Sequence, residues 1–231
     1  MKIDNIEVIL ETAKKLNHTL KVMSEIKSGK EATVYQVLLD GKLLAMKVYK
    51  NQEDKNFKNA GLYLTGKHFA KASQRKATEK GNKFSKKLNY DNWITREFYI
   101  LEKLYKLGAQ IPQPVLQIEN AVFMEYLGDQ ENSAPRLCDL NLSKEEAESA
   151  FPIILETTLI FWNAGIIHAD LSPYNILWWK DKSYIIDFPQ AIDKRTNPDA
   201  LKFLERDLQN VVKYFSKFMK IDYEEVKKQF I

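Results

Sequence analysis

The sequence predicts an α+β fold in two lobes, a small β-rich N-terminal lobe followed by a helical C-terminal one. Three observations predict it. Strand signals before residue 128 form a meander and a second hairpin, most of the helical pattern lies after it, and a polar, proline-containing stretch separates the two.

In chain order, Asn5–Leu16 places Ile6, Ile9, Leu10, Ala13 and Leu16 at helical spacing, so residues 1–23 are predicted to form a helical extension. Val22–Ile26, Thr33–Leu39 and Leu43–Tyr49 read as strands. Asp40-Gly41 is a tight hairpin turn and Lys27–Ala32 joins the first pair, which makes an antiparallel meander. From Trp93 the pattern turns helical, with Ile94, Phe98, Leu101, Leu104 and Leu107 on one face and Gly108 as a C-terminal stop. Val115–Ile118 and Ala121–Leu127 flank the Glu119-Asn120 turn as a second hairpin. These strands and the helix make an N-lobe of residues 24–127, and residues 128–231 make the C-lobe.

Gly128–Asn141 reads as a linker between lobes. Ser143 and Glu146 form a capping box before a helix, and Pro152 is expected to start a second helix running to Ala164 and stopped by Gly165. Ile176–Trp179 and Tyr184–Ile186 are short strands around a Lys180–Ser183 turn. Asn197-Pro198-Asp199 opens the last long helix with Asn197 as cap, and a short helix from about Asp222 closes the chain.

Composition bounds the function. At 231 residues, 45% hydrophobic and 29% charged, the chain is globular, with no sign of collagen, coiled coil or disorder. The single cysteine, Cys138, excludes a disulfide framework and a multi-cysteine metal site, so a reducing cytoplasm is expected. Acidic residues within the N-terminal pattern exclude a signal peptide, and no apolar stretch is long enough to span a membrane. The net charge of +4 is uneven: Asn51–Asn92 carries ten Lys/Arg against four acids, a local +6, leaving −2 elsewhere. That segment reads either as a solvated loop, ordered in part at best, or as a basic arm for an anionic partner such as RNA.

The chemistry concentrates in His168-Ala169-Asp170-Leu171-Ser172-Pro173-Tyr174-Asn175, followed by Ile185-Ile186-Asp187. Phosphoryl transfer needs a carboxylate to orient or deprotonate the nucleophile and oxygen ligands to hold Mg²⁺ on the phosphates. An Asp and an Asn five residues apart on one loop, with a second Asp at a strand end, supply those groups, in the spacing of a kinase catalytic loop. Each residue alone is explained as well by a turn cap or a core histidine; the ordered set is not. Lys47 in Ala45-Met46-Lys47 is the strand lysine that such an enzyme needs on the phosphates, with Glu97 as its helix partner. Ser28, Gly29, Lys30, Glu31 and Ala32 lie where a nucleotide-covering loop belongs, although they form neither G-x-G-x-x-G nor a Walker A motif. Met124, Glu125 and Leu127 precede the linker at the position that meets adenine through the main chain.

These segments resemble the RIO family of atypical kinases and ATPases. The matching strings are SGKEATVY (Ser28–Tyr35), MKVY with Lys47, HADLSPYNIL (His168–Leu177), IIDFPQA (Ile185–Ala191) and NPDALKFLERDLQNVVKYF (Asn197–Phe215). Phe57–Phe98 is similar to the family's flexible loop. Two absences agree with the resemblance: Pro189 stands where Asp-Phe-Gly would place its glycine, and no Ala-Pro-Glu segment precedes the last long helix. The resemblance implies a protein-kinase-like fold whose reduced C-lobe lacks the activation segment and peptide-docking helices. It implies MgATP (or Mn²⁺) as cofactor, Asp170 as catalytic base, and Asn175 and Asp187 as metal ligands. Lys47, paired with Glu97, would meet phosphates. Glu125 and Leu127 would offer main-chain groups to adenine, with Ala45 and Leu177 on its two faces and Val34 beside the covering loop. Asp187 would also be the site of an aspartyl-phosphate. Implied partners are a protein substrate or a pre-ribosomal particle or RNA, reached through residues 51–92. The alternatives are a small-molecule phosphotransferase of the aminoglycoside/choline kinase type and a non-catalytic ATP-dependent binding module.

Overall fold

The structure, a computed structural model, describes residues 5–50 and 83–231. Residues 51–82, most of the basic segment, lie outside the described residues. Contacts divide the chain into two compact units. Among the described residues, the first comprises 5–50, 83–99 and 113–126, and the second comprises 100–112 and 127–231.

The first unit is built on a five-stranded antiparallel sheet in the order β1-β2-β3-β5-β4. Its strands are β1 (Leu20–Ser28), β2 (Ala32–Leu39), β3 (Lys42–Tyr49), β4 (Pro114–Ile118) and β5 (Ala121–Glu125). The β2–β3 turn holds Asp40 and Gly41 at φ of 51° and 78°, the left-handed pair that a two-residue hairpin requires. Asp40 also accepts from the Thr19 N–H at 2.8 Å and pairs with His18 at 2.6 Å, so the turn is tied to the start of β1. β1 runs longer than expected, and two register shifts along it are typical of an edge strand. β5 ends at Glu125, two residues before the predicted Leu127.

Helix α1 (Asn5–Lys15) buries Ile9 and Ala13 against Val37, Leu39, Met46, Val48 and Phe123. These strand residues lie at even spacing on one sheet face, which leaves Ala45, Lys47 and Tyr49 for the other. Helix α2 (Lys83–Lys106) starts ten residues earlier than the predicted Trp93. The last part of the segment expected to be partly ordered is therefore helical. Gly108, at φ 85°, ends α2 as predicted.

In the second unit, helix α3 (Lys144–Asn163) has the predicted capping box. The Ser143 N–H donates to Glu146 Oε2 at 2.7 Å, and the Glu146 N–H donates to Ser143 Oγ at 3.1 Å. The helix does not restart at Pro152 but runs through it. A proline there deprives only the Glu148 carbonyl of its partner, on an exposed turn open to water. Ala147, Ala150, Ile154 and Leu155 continue one buried face across it, and that packing overrides the local signal.

Two small two-stranded sheets follow: β6 (Ile166–Ile167) with β9 (Ile192–Asp193), and β7 (Ile176–Trp179) with β8 (Lys182–Ile185). Helix α4 (Ala200–Phe215) starts three residues after the predicted cap. Asn197 accepts instead from the Asp199 N–H at 2.9 Å in a turn before the helix. Leu204, Leu208 and Val212 of α4 pack with Ile167, Ala169 and Ile192, and with Val226 of α5 (Tyr223–Lys227).

Residues 128–141 are structured as well. Leu137 is fully buried in a short 3-10 turn, and the Pro135 carbonyl accepts from the Trp178 N–H at 2.9 Å. The predicted linker is thus part of the second unit, because Ala134 and Leu137 bury side chains that its polar start conceals. No described helix is long and apolar enough to cross a membrane.

Candidate functional site

The site residues fall into two sets, one in each unit. In the first, strand alternation and register assemble one sheet face: Lys47 sits opposite Val34 across β2–β3, and Ala45 sits opposite Met124 across β3–β5. Val34, Ala45, Lys47 and Met124 therefore share the face that α1 does not cover. Lys47 is 8% exposed, and its Nζ lies 2.8 Å from Oε1 of Glu97, which is 3% exposed. The Tyr49 hydroxyl donates to the other oxygen of Glu97. Burial, reinforced by the Glu97 charge, pushes the Tyr49 phenol well above its ordinary pKa, so it stays a donor. Two donors thus hold the glutamate, and the glutamate holds the lysine. A buried lysine with a fixed ion pair keeps its charge in one place, which is what recognition of a phosphate requires.

The β1–β2 connection, where the nucleotide-covering loop is expected, is held by its own hydrogen bonds. The Gly29 N–H donates to the Ala32 carbonyl at 2.9 Å, and Lys50 Nζ binds the Gly29 carbonyl at 2.7 Å and Ser28 Oγ at 3.0 Å. The Gly29 N–H is therefore engaged within the loop, and Lys30 and Glu31 form its tip. The Glu125 N–H donates to the Gln113 carbonyl at 2.8 Å, and the buried Leu127 accepts at its carbonyl from Ala134. Leu127 groups with the second unit, as does Leu177, which pairs with Tyr184 in β7–β8.

The second set is the loop after β6. Ile166 to Ala169 and Leu171 are buried, while Asp170 between them is exposed. A buried backbone thus presents one carboxylate to solvent. Ala169 has a φ of 62°, a conformation that costs a non-glycine residue about 1 kcal/mol and must be held from outside. Helix α4 holds it. Asp207, 1% exposed, accepts from the Ala169 N–H at 2.7 Å and the Leu171 N–H at 3.1 Å with its two oxygens. Arg206 donates to the Ala169 carbonyl, and Asn210 donates to the Leu171 carbonyl at 3.1 Å. Burial pushes the Asp207 carboxyl up to about 7, against the lowering effect of those two N–H bonds.

Within the same loop, Asn175 Nδ2 donates to the Asp170 carbonyl at 2.8 Å and to its carboxylate at 3.2 Å. With the amide nitrogen committed to Asp170, Oδ1 is the face left to a hard cation. The Asn175 carbonyl accepts from the Ile186 N–H at 3.0 Å, which brings the exposed Asp187, at φ 72°, beside Asn175. His168 fixes the other side of this junction: its Nε2 lies 3.0 Å from the Ile186 carbonyl, and its ring lies 4.8 Å from the Phe188 ring. One amide oxygen and one carboxylate suit Mg²⁺, which keeps several waters and takes the remainder of its shell from substrate phosphates. Among the described residues there is no cluster of three His, Cys, Asp or Glu that would hold a metal by protein ligands alone.

Sequence reasoning missed Asp207, Arg206, Asn210 and Tyr49. A signal for Asp207 was present: it shares the apolar face of α4 with Leu204, Leu208 and Val211, and a charge on such a face calls for a buried partner.

The RIO domain family matches residues 33–228. A serine/threonine-protein kinase rio1 of Schizosaccharomyces pombe is 30% identical over 193 residues, covering 82% of this chain and 37% of that protein. A RIO1 of Caenorhabditis elegans is 31% identical, with 82% and 36% covered, and a Rio1 of Haloferax volcanii is 30% identical, with 82% and 61% covered. The chain thus spans little over a third of the first two relatives. A crystal structure of the Rio2 kinase ADP/Mg²⁺-phosphoaspartate complex from Chaetomium thermophilum matches with a TM-score of 0.63 at 20% identity, covering 96% of this chain and 64% of that one. At that identity the likeness concerns the fold, which is kinase-like α+β.

Proposed function

This chain belongs to the RIO family, and on that premise we propose that it is an atypical serine/threonine kinase and ATPase that uses MgATP. The observation that carries the reading is the exposed Asp170 on a loop whose backbone is clamped by Asp207, with Asn175 tied to it and Asp187 beside Asn175. Asp170 orients the attacking hydroxyl or water and accepts its proton. Asn175 Oδ1 and Asp187 would hold the metal, which when bound would neutralise charge on the transferring phosphoryl group. Lys47, held by Glu97, binds phosphate oxygens. Ala45, Met124 and the main chain of Glu125 are the adenine-binding residues of the first unit, and Leu127 and Leu177 those of the second.

Asp187 is also the acceptor of the phosphoryl group during ATP hydrolysis. Its carboxylate oxygen attacks the γ-phosphorus, the bond to the β-phosphate oxygen breaks, and ADP leaves; water then releases phosphate and restores the carboxylate. The exposure of Asp187 supports this, and the phosphoaspartate described for the Rio2 relative agrees with it. The basic 51–92 segment, with its local +6, serves a protein substrate or the RNA of a pre-ribosomal particle in the cytoplasm.

The test is incubation with γ-labelled ATP and Mg²⁺, followed by a quench and hydroxylamine. Label on the wild-type chain that hydroxylamine removes, and that Asp187→Asn does not acquire, supports the reading. Label that resists hydroxylamine overturns the aspartyl-phosphate, and failure to bind or turn over ATP overturns the whole assignment.

A further inference from the structure

The second unit has a cavity of about 320 Å³ whose wall includes Ser172, Pro173 and Tyr174. Those three residues lie between Asp170 and Asn175, so the loop that carries both forms part of the cavity. Asn210 and Lys213 of α4 line it too, as does Lys217 just beyond the helix end. Spacings of three and four residues put these three on one side of the helix. Among the described residues, the charged lining is therefore two lysines and no acid. Asp139, next to the lining residue Cys138, is engaged by the Arg136 guanidinium at 2.7 and 3.1 Å. Tyr214, also in the lining, is buried and fixed by a hydrogen bond from its hydroxyl to the Leu137 carbonyl at 2.5 Å. Tyr174 is 62% exposed under the Arg136 guanidinium, 5.7 Å from its ring centre.

We propose that this cavity receives an acidic side chain of a protein substrate, a few residues from the hydroxyl that is phosphorylated; the proposal rests on the kinase reading above. The loop sets the distance. Ser172 and Tyr174 are two and four residues from Asp170, and a chain spans at most about 3.6 Å per residue, so their Cα atoms lie within about 7 Å and about 14 Å of the Asp170 Cα. An extended substrate covers that span in two to four residues. Two cations beside aromatic walls suit a carboxylate on a short aliphatic stem, and the pairing is one of charge, so it steers as well as binds. A basic residue in the last turn also suits the negative end of α4, and that role alone gives a different experimental result.

The experiment uses the full chain with MgATP and serine peptides that differ by one Glu or Gln, two, three or four residues to either side of the serine. A Glu peptide is expected to show a kcat/KM about 3- to 10-fold above its Gln counterpart at one of these positions, the scale of two solvent-exposed ion pairs, shrinking as NaCl is added. Lys213→Gln with Lys217→Gln removes that ratio and leaves peptide-free ATP turnover unchanged. Lys213→Glu with Lys217→Glu transfers the preference to a Lys peptide. No Glu preference in the wild type overturns the proposal. So does a preference that survives both lysine substitutions while only the melting temperature drops, since the lysines then serve the helix end. Peptide-free ATP turnover without a Glu preference overturns this proposal alone; absence of any turnover overturns the kinase reading beneath it.

Discussion

Asp207→Asn removes one acceptor from the clamp on the catalytic loop while keeping the side-chain shape. In the native chain, two carboxylate oxygens take the Ala169 and Leu171 N–H groups at 2.7 and 3.1 Å. Asparagine has one oxygen, so one backbone N–H must face an NH₂ group in a site where Asp207 is 1% exposed. A buried donor left without an acceptor costs about 1–3 kcal/mol. The left-handed Ala169, at φ 62°, then has less to hold it, and the loop relaxes in the direction that moves Asp170. If that cost appears wholly as misplacement of Asp170, kcat falls by about 5- to 150-fold while KM for ATP changes little, because both oxygens of Asp207 are spent on the loop backbone. The variant also changes the pH response. Burial holds the Asp207 proton more tightly in the folded chain, near pH 7, than in the unfolded one. The stability it contributes is therefore complete below the ordinary carboxylate range and is lost as pH rises through about 7. Turnover should run the other way, rising as the carboxylate ionises and accepts both N–H groups. Steady-state kinetics and thermal melts from pH 5 to 8 test both trends. Asp207→Asn with unchanged kcat, or with the wild-type slope of stability against pH, refutes the clamp.

Three further outcomes follow from particular contacts. Among the described residues, Lys47→Met leaves the buried Glu97 charge with the Tyr49 hydroxyl as its partner, so it should destabilise the chain by about 3–5 kcal/mol as well as abolish productive ATP use. Combined with Glu97→Gln in a double-mutant cycle, the two effects should be strongly non-additive; simple addition in urea melts contradicts the pairing. Pro152→Ala restores a helix hydrogen bond to the Glu148 carbonyl and should raise the melting temperature by the equivalent of about 1–3 kcal/mol without touching kcat. Gly165→Ala forces a Cβ into a backbone at φ 80° and should cost about 1 kcal/mol, read as a lower urea midpoint with an unchanged slope.

Elements set by local chemistry were legible in advance. The Asp40-Gly41 turn, the Ser143–Glu146 capping box and the Gly108 stop each depend on a residue type at one position, and each is where it was expected. Features decided by packing at a distance were not. Pro152 signals a helix start, but the buried residues on both sides of it carry the helix through. The 128–141 stretch looks like a linker because its first residues are polar, while burial of Ala134 and Leu137 is decided by contacts with β7 and α4. The two-residue strands β6 and β9 are too short for a periodic signal. The same division runs through the site. Residue type and spacing singled out Asp170, Asn175, Asp187, Lys47 and Glu97; the structure bonds Asn175 to Asp170, bonds the neighbour of Asp187 to Asn175, and joins Lys47 to Glu97. Asp207 was not among them, since its role depends on a helix more than thirty residues beyond the loop that it clamps.

On the proposed reading, Asp170 drives transfer of a phosphoryl group from MgATP. That role is tested most directly by measuring Mg²⁺-dependent ATP turnover and nucleotide affinity side by side in the wild type and Asp170→Asn. Turnover should fall by about 10²–10⁴-fold with affinity for nucleotide nearly unchanged, as for removal of a positioned base. Turnover that survives in a folded Asp170→Asn chain contradicts it.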